Sequence, residues 1–98
     1  MMNHINVTVE FTGISRILTG ETEIAIPLQD GGRLEDIVKQ LGQRFPALIG
    51  EVINEDGRSM IPTNLFSING EQILHEDQLH YQPKNGERLI MLSLLAGG

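Results

Sequence analysis

Apolar residues occupy every second position in two early stretches of the chain, residues 5–11 and 24–28. A period of two indicates β-strands that each bury one face. Thr12-Gly13 ends the first stretch, and we predict that the two strands pair as an antiparallel hairpin. Pro27 lies within the second strand and cannot donate a hydrogen bond to a neighbouring strand, so we place this strand at an edge of the sheet.

The apolar period changes to 3.6 after Asp30-Gly31-Gly32, which indicates a helix with one apolar face that ends at Pro46. Arg33 occupies the position where a Ser or Thr cap is usual, so the sequence specifies the start of this helix only weakly. Residues 52–61 surround a turn sequence and are expected to form a small hairpin or an ordered loop. The apolar face consists of Leu34, Ile37, Val38, Leu41 and Phe45.

Three further strands are predicted in the second half of the chain. Residues 65–68 lead into Asn69-Gly70, a strong hairpin signal, and Gln72-Ile73 follows it. A turn at residues 83–86 precedes a last apolar strand from Arg88 to about Leu95. Because a crossing helix joins parallel strands, and the first and last strands are the most apolar, we place those two in the centre. We therefore predict an α+β fold, the β-grasp, with a mixed sheet of four to five strands and one main crossing helix.

The chain reaches Ala96-Gly97-Gly98 directly after this last strand. No acidic side chain follows Arg88, so the anion at this end is the α-carboxylate of Gly98, which is ionised at neutral pH. Glycines lack a Cβ, so their backbone can enter a narrow channel. We divide the chain into a domain of residues 1–93 and a flexible tail of residues 94–98. A frayed terminus without a function is the alternative interpretation.

The composition narrows the possible functions. The 98 residues, of which 40% are apolar, suit one domain with a modest core. The net charge of −6 and the scattered basic residues argue against nucleic-acid binding. The chain has no cysteine, which excludes disulfides, thiolate metal sites and thiol catalysis. Without a signal-peptide pattern or an apolar run of ~20 residues, we expect a cytoplasmic protein that binds no membrane.

Two other patterns fall short of a catalytic or metal site. His75 and His80 are one residue further apart than in the His-Glu-x-x-His zinc box, which would separate them by about 140° around a helix. Gly31-Gly32 lacks the spacing of a dinucleotide-binding loop, and no serine lies in a nucleophile elbow. We therefore expect no metal, no bound cofactor and no catalytic activity of the chain's own.

The last strand is apolar on both faces, although one helix can cover only one face of a sheet. Leu89 and Met91 should point to one face, and the residues between and after them to the other. An exposed apolar face usually marks an interaction site. We therefore predict a partner-binding surface, with partial cover by loops as the alternative. Its residues are Leu65, Ile90, Leu92 and Leu94.

Several short motifs, taken in order, resemble the ubiquitin-like sulfur carriers related to the small subunit of molybdopterin synthase and the thiamine sulfur carrier. The similarity covers nearly the whole chain. Family members often carry proline shortly before Ala-Gly-Gly, where this chain has Ser93-Leu94-Leu95. The segment around Asn54-Glu55-Asp56-Gly57 is similar to the longer members, including those that serve cysteine biosynthesis. The matching motifs are Val9-Glu10-Phe11-Thr12-Gly13 with Arg16 and Thr19-Gly20, Arg44-Phe45-Pro46, Ile68-Asn69-Gly70-Glu71, Asn85-Gly86-Glu87 and Ala96-Gly97-Gly98.

The resemblance implies a carrier rather than an enzyme. In this family an adenylyltransferase similar to the ubiquitin-activating enzyme uses ATP to adenylate the C-terminal carboxylate, here that of Gly98, at the end of a tail that includes Ala96 and Gly97. The product becomes a thiocarboxylate, which donates sulfur to an acceptor such as a molybdopterin synthase large subunit or a cysteine-synthase-like enzyme. The pathway stays open among molybdopterin, thiamine, cysteine and related metabolites. The alternatives are a ubiquitin-like modifier joined through Gly98 to lysines of target proteins, and a plain interaction domain.

Overall fold

The computed structural model describes residues 3–94, which form a five-stranded mixed sheet and two α-helices. A short helix follows the first strand, and a longer one connects the second strand to the third. Short 3-10 turns lie at Pro46–Leu48 and Glu76–Gln78. The elements are β1 His4–Phe11, α1 Ile14–Thr19, β2 Glu23–Gln29, α2 Leu34–Arg44, β3 Asn64–Ile68, β4 Gln72–Leu74 and β5 Arg88–Ser93.

The strand order is β2-β1-β5-β3-β4, with β1 and β5 parallel and the other neighbouring pairs antiparallel. The predicted central position of the first and last strands is therefore confirmed, and so is the edge position of β2. Two side chains of α2 reach the carbonyls of this edge strand. Gln40 donates to the Pro27 oxygen at 2.9 Å, and Arg44 donates to the Ala25 oxygen at 3.5 Å. These contacts protect the edge from pairing with another chain.

One hydrophobic core lies between α2 and one face of the sheet. Val7, Val9 and Leu89 of the two central strands are fully buried. Phe11 packs edge-to-face against Phe45, with ring centroids 5.6 Å apart. Burial of each large aliphatic side chain contributes roughly 1.5–3 kcal/mol, so this layer supplies most of the stabilisation. The predicted apolar face of α2 is confirmed, since the helix buries Leu34, Ile37, Val38 and Leu41.

Helix α2 begins without a Ser or Thr cap, and distant groups bind its first amides instead. The amide of Leu34 donates to the Tyr81 carbonyl at 2.8 Å, and the amide of Glu35 donates to the Leu79 carbonyl at 3.0 Å. The Asp36 carboxylate accepts a hydrogen bond from the backbone N–H at position 33, at 2.8 Å. The loop before β5 thus fixes the start of the helix by satisfying donors that a helix leaves free.

Tyr81 also ties this loop to the beginning of β5. Its hydroxyl donates to Glu87 Oε1 at 2.7 Å, and the Lys84 amide donates to the same oxygen at 2.8 Å. Partial burial, followed by the hydrogen bond to Glu87 and that residue's charge, raises the pKa of Tyr81 to about 12. The neutral hydroxyl is therefore part of what holds the loop in place.

Helix α1, between β1 and β2, was not predicted from the sequence. The helix is six residues long, has no capping side chain and ends at Gly20 in the left-handed conformation. Its buried Ser15 donates to the Thr12 carbonyl at 2.8 Å. Ile14 and Leu18 pack against the core only in part. Ile14, Ile17 and Leu18 have the spacing of a helix, but six residues are less than two turns, too short for the period to distinguish a helix from other structure.

Residues 52–61 form the ordered loop that was one of the two alternatives. Val52, Ile53 and Met60 are buried, and a single bridge joins Ile53 to Met60. The Asp56 carboxylate accepts hydrogen bonds from the amides of Arg58 and Ser59 at 2.8 and 3.1 Å. The bond from the Arg58 amide contributes most to lowering the pKa of Asp56 below its usual value. This loop therefore adds apolar side chains to the core, and hydrogen bonds to Asp56 hold its turn.

Candidate functional site

The candidate site is built on β5, whose two faces differ in burial. Leu89 and Met91 lie in the core, where Met91 is 2% exposed. Ile90 and Leu92 point to the opposite face of the sheet and are half-buried. Leu94, the last described residue, is 61% exposed. The alternation along this strand is therefore the predicted one.

Neighbouring strands extend the apolar surface of this outer face. Leu65 on β3 lies opposite Leu92, and Ser67 lies between Ile90 on one side and Ile73 on the other. Leu65 is only 6% exposed, so the predicted contact residue offers little free area. Ile73 is 41% exposed and was missed in the sequence analysis, although the Asn-Gly turn sets the register that places it here. We call Leu65, Ile73, Ile90, Leu92 and Leu94 the outer apolar patch.

Hydrogen bonds from both sides hold the end of β5. The Leu94 amide donates to the Thr63 carbonyl at 2.7 Å, beyond the last residue of the strand. On the other side, the hydroxyl of Thr12 donates to the Met91 carbonyl. The backbone is thus fixed as far as Leu94. Tail residues Ala96, Gly97 and Gly98, which the sequence analysis singles out, lie outside the described residues.

A charged margin borders the apolar patch on the same face. Glu10 on β1 and Glu23 on β2 lie directly opposite each other, an arrangement that is unfavourable for like charges. Arg88 on β5 donates from one nitrogen to both carboxylates, at 2.9 and 3.0 Å. These bonds, the one to Glu23 first, raise the pKa of Arg88. Two carboxylates share one cation, so the margin carries a net negative charge.

The structure offers no sign of metal chemistry in the part that it describes. Within residues 3–94, no three His, Cys, Asp or Glu side chains are grouped so that they could hold a metal ion. His75 and His80 lie on either side of the 3-10 turn at Glu76–Gln78. Nor does any helix in this range have the length and apolar character needed to cross a membrane.

Comparison with known proteins finds similarity at the level of structure. No protein-family model and no curated protein sequence matches the chain. Among solved structures, the small archaeal modifier protein 1 (SAMP1) from Methanosarcina acetivorans superposes with a TM-score of 0.78 at 22% identity, covering 98% of this chain and 99% of that one. The putative molybdopterin converting factor, subunit 1, from Pyrococcus furiosus gives 0.68 at 21% identity, with 93% and 99% covered. Urm1 from Trypanosoma brucei gives 0.57 at 20% identity, with both chains covered completely.

The chain has the β-grasp fold. The strand order, the parallel central pair and the crossing helix all agree with the superpositions, which extend over nearly the whole chain. The predicted fold is therefore confirmed, with α1 as an addition to the single helix that was expected. Superpositions at identities near 20% establish the fold of the chain.

Proposed function

We propose that this protein is a sulfur carrier that works through the carboxylate of Gly98. The observation that carries the proposal is the path of β5. A central strand, hydrogen-bonded on both sides, leads from the core past an exposed apolar patch directly toward Ala96-Gly97-Gly98. A β-grasp domain built in this way would offer a C-terminal carboxylate, on a narrow glycine-containing tail, next to a surface on which an enzyme can dock.

The proposed chemistry needs two steps, both carried out by partners. In the first, the Gly98 carboxylate attacks the α-phosphorus of ATP on an adenylyltransferase similar to the ubiquitin-activating enzyme, which forms an acyl-adenylate and releases pyrophosphate. In the second, the sulfur of a sulfide ion, HS⁻, attacks the acyl carbon, and AMP leaves with the bonding electrons. The chain has no cysteine, so the sulfur comes from a donor outside it. The resulting thiocarboxylate passes its sulfur to an acceptor enzyme.

Adenylation makes the second step possible because it changes the leaving group. A free carboxylate would have to expel an oxide ion, whereas the acyl-adenylate expels AMP, whose phosphate carries the negative charge. The chain itself supplies position rather than catalysis, so we describe it as a carrier and not an enzyme. ATP belongs to the activating partner, and the carrier holds no cofactor of its own. We place this chemistry in the cytoplasm.

The outer apolar patch is the proposed docking surface for these partners. Ile90 and Leu92 are half-buried and Leu94 is exposed, so together they offer a graded apolar surface that runs toward the tail. Binding there would fix β5 and aim the following glycines into an active site. Burial of such side chains on binding contributes several kcal/mol before the costs of association.

A second function, a protein modifier, shares the activation step. Its specific support is the superposition on the small archaeal modifier protein 1 of Methanosarcina acetivorans. In that case a lysine amine of a target protein, instead of sulfur, would attack the acyl-adenylate and form an isopeptide bond with release of AMP. The two functions therefore differ only in the nucleophile that meets activated Gly98.

Intact-mass measurement tests the proposal. The purified chain, incubated with its organism's adenylyltransferase, Mg-ATP and a sulfur donor, should gain the mass difference of one sulfur for one oxygen at its C-terminus. Deletion of Gly98 and the substitution Gly97→Val should each abolish this product while thermal unfolding stays unchanged, because Met91 is the last core residue of the described part of the chain. Absence of any adenylate or thiocarboxylate would refute the carrier. Isopeptide-linked conjugates in the native host without a thiocarboxylate form would select the modifier.

A further inference from the structure

The two most exposed aliphatic side chains of the described residues lie at the same end of the sheet. Ile17 on α1 is 81% exposed and Leu94 is 61% exposed. Strands β1 and β5 are parallel, and their last paired residues are Phe11 and Met91. Helix α1 begins three residues after Phe11, and Leu94 comes three residues after Met91. Ile17 therefore lies at the end from which the chain leaves toward Gly98.

Helix α1 is fixed relative to β5 through two hydrogen-bonded residues. Ser15 donates to the Thr12 carbonyl at 2.8 Å, and its own hydroxyl oxygen accepts from the Thr12 amide at 3.2 Å. The Thr12 hydroxyl in turn donates to the Met91 carbonyl. Ile17 is thus held in a constant position relative to the end of β5.

Ile17 contributes little to the fold that it belongs to. The partly buried Ile14 and Leu18 and the buried Ser15 attach α1 to the domain, whereas Ile17 projects from it. A β-branched residue also lowers helix propensity, so a polar straight-chain residue would suit this position better. Single exposed aliphatic residues are common on proteins, and it is the location of Ile17 beside the exit of β5 that makes it notable.

The length of chain beyond Leu94 limits where a partner can lie. The last anchored amide is that of Leu94, and four residues follow it as far as Gly98. Four extended residues span at most ~14 Å. If Gly98 reacts as proposed above, the enzyme that reacts with it must bring its surface close to this end of the sheet.

We propose that Ile17 is a second contact for the adenylate-forming enzyme, separate from the outer apolar patch and occupied by an apolar depression on that enzyme. This inference rests on the proposed function. We assign the contact to the activating enzyme because adenylation comes first in both candidate functions and must draw the tail into an ATP site. Two contacts, one on the sheet face and one on α1, would hold the end of β5 from two directions while the tail enters.

ATP–pyrophosphate exchange catalysed by the organism's adenylyltransferase, with Mg-ATP and the full chain as substrate, tests the inference. Ile17→Gln should raise KM for the chain about tenfold or more, which corresponds to about 1.4 kcal/mol, and leave kcat unchanged. The substitution keeps the net charge, so electrostatic steering is not altered. Ile17→Leu is the matched control, because it keeps an aliphatic side chain of the same size at the same exposed position on α1. We expect it to change KM less than about threefold.

The possible outcomes separate this inference from the proposed function. If the wild-type chain supports exchange and Ile17→Gln leaves KM unchanged, the Ile17 contact is refuted and the proposed function stands. Equal losses from Ile17→Gln and Ile17→Leu would show that the enzyme does not depend on an aliphatic side chain at this position and would also refute the contact. A loss only in binding to a sulfur-acceptor enzyme would move the contact to that partner and overturn the assignment made here. If the wild-type chain supports no exchange, the proposed function and the Ile17 contact fall together.

Discussion

The two faces of the central sheet differ in what covers them, although on β5 their residues alternate within one six-residue strand. On the inner face, Leu89 and Met91 are covered by α2 and belong to the core. On the outer face, Ile90 and Leu92 stay half-buried. The difference shows that the apolar character of a strand does not by itself indicate core. The inner set is needed for folding, and the outer set is available to a partner.

The largest expected effect comes from a charge on the inner face. Met91→Glu places a carboxylate among buried apolar side chains, and no charged side chain is buried among the described residues that could pair with it. We expect a loss of about 4 kcal/mol or more in the free energy of unfolding, which is a large part of the roughly 5–15 kcal/mol that stabilises a typical domain. Urea denaturation followed by circular dichroism measures it. Met91→Leu should cost less than about 1.5 kcal/mol. Near-normal stability of Met91→Glu would show that the inner face is not the core.

The same charge on the outer face should leave the fold intact and impair binding. Leu92→Glu keeps its carboxylate in contact with water, so the free energy of unfolding should fall by only about 1 kcal/mol. A partner that buries Leu92 must desolvate the carboxylate, and its affinity should fall about 100-fold. Calorimetric titration with the adenylyltransferase measures this effect, with Leu92→Met as the control. Unchanged affinity would show that the partner does not dock on Leu92. Unfolding of Leu92→Glu would show that the outer face is needed for folding as much as the inner face.

The sequence predicted the inner face better than the outer one. Residues 5–11 and the apolar face of α2 follow simple periods, because core residues are selected by the geometry of a single element. Leu65 was predicted to lie on the partner-binding surface by its strand parity, yet it is only 6% exposed, and parity alone does not report the exposure of a residue. Ile73 pairs with Ser67 in a register that the Asn69-Gly70 turn sets, so this position could have been found from the sequence.

Elements fixed by distant contacts also escaped the sequence analysis. Helix α1 is too short to show a period, and it is attached through Ser15 and Thr12 rather than by a capping side chain. The sequence specifies the start of α2 only weakly, because the first amides of this helix donate to the backbone carbonyls of Leu79 and Tyr81. Every residue has a backbone carbonyl, so a sequence does not show which ones accept such hydrogen bonds. The tail was the opposite case. Gly98 is visible only in the sequence, since it lies outside the described residues.

A smaller loss of stability is expected when the loop before β5 is weakened. This loop holds the start of α2, the helix that covers the inner face. Tyr81→Phe removes the hydrogen bond to Glu87 and should lower the free energy of unfolding by about 1–2 kcal/mol at neutral pH. The pKa of Tyr81 is raised to about 12 in the folded protein, against about 10 when unfolded, so folding favours the neutral hydroxyl. The stability gained from it is complete below about pH 10 and is lost as pH rises toward 12.

The alkaline behaviour is measurable because Tyr81 is the only tyrosine of the chain. Absorbance of the tyrosinate ion should report its titration directly, with a midpoint near pH 12 in the folded protein. Urea denaturation at several pH values should show a steeper loss of stability between pH 10 and 12 for the wild type than for Tyr81→Phe. A midpoint near pH 10 without unfolding would mean that the hydroxyl is not held by Glu87.

The smallest expected effect concerns the charged margin of the outer face. Arg88 bridges Glu10 and Glu23, which face each other across β1 and β2. Arg88→Gln leaves the two carboxylates to repel each other, whereas Glu23→Gln removes the repulsion and keeps the pair with Glu10. We therefore expect a lower Tm for Arg88→Gln and a Tm close to that of the wild type for Glu23→Gln. All three groups are in contact with water, so raising the salt concentration from 10 mM to about 1 M should largely abolish the difference. A deficit of Arg88→Gln that persists at high salt would mean that Arg88 acts through packing of its aliphatic stem, and the outer face would then contribute to folding more than its exposure indicates.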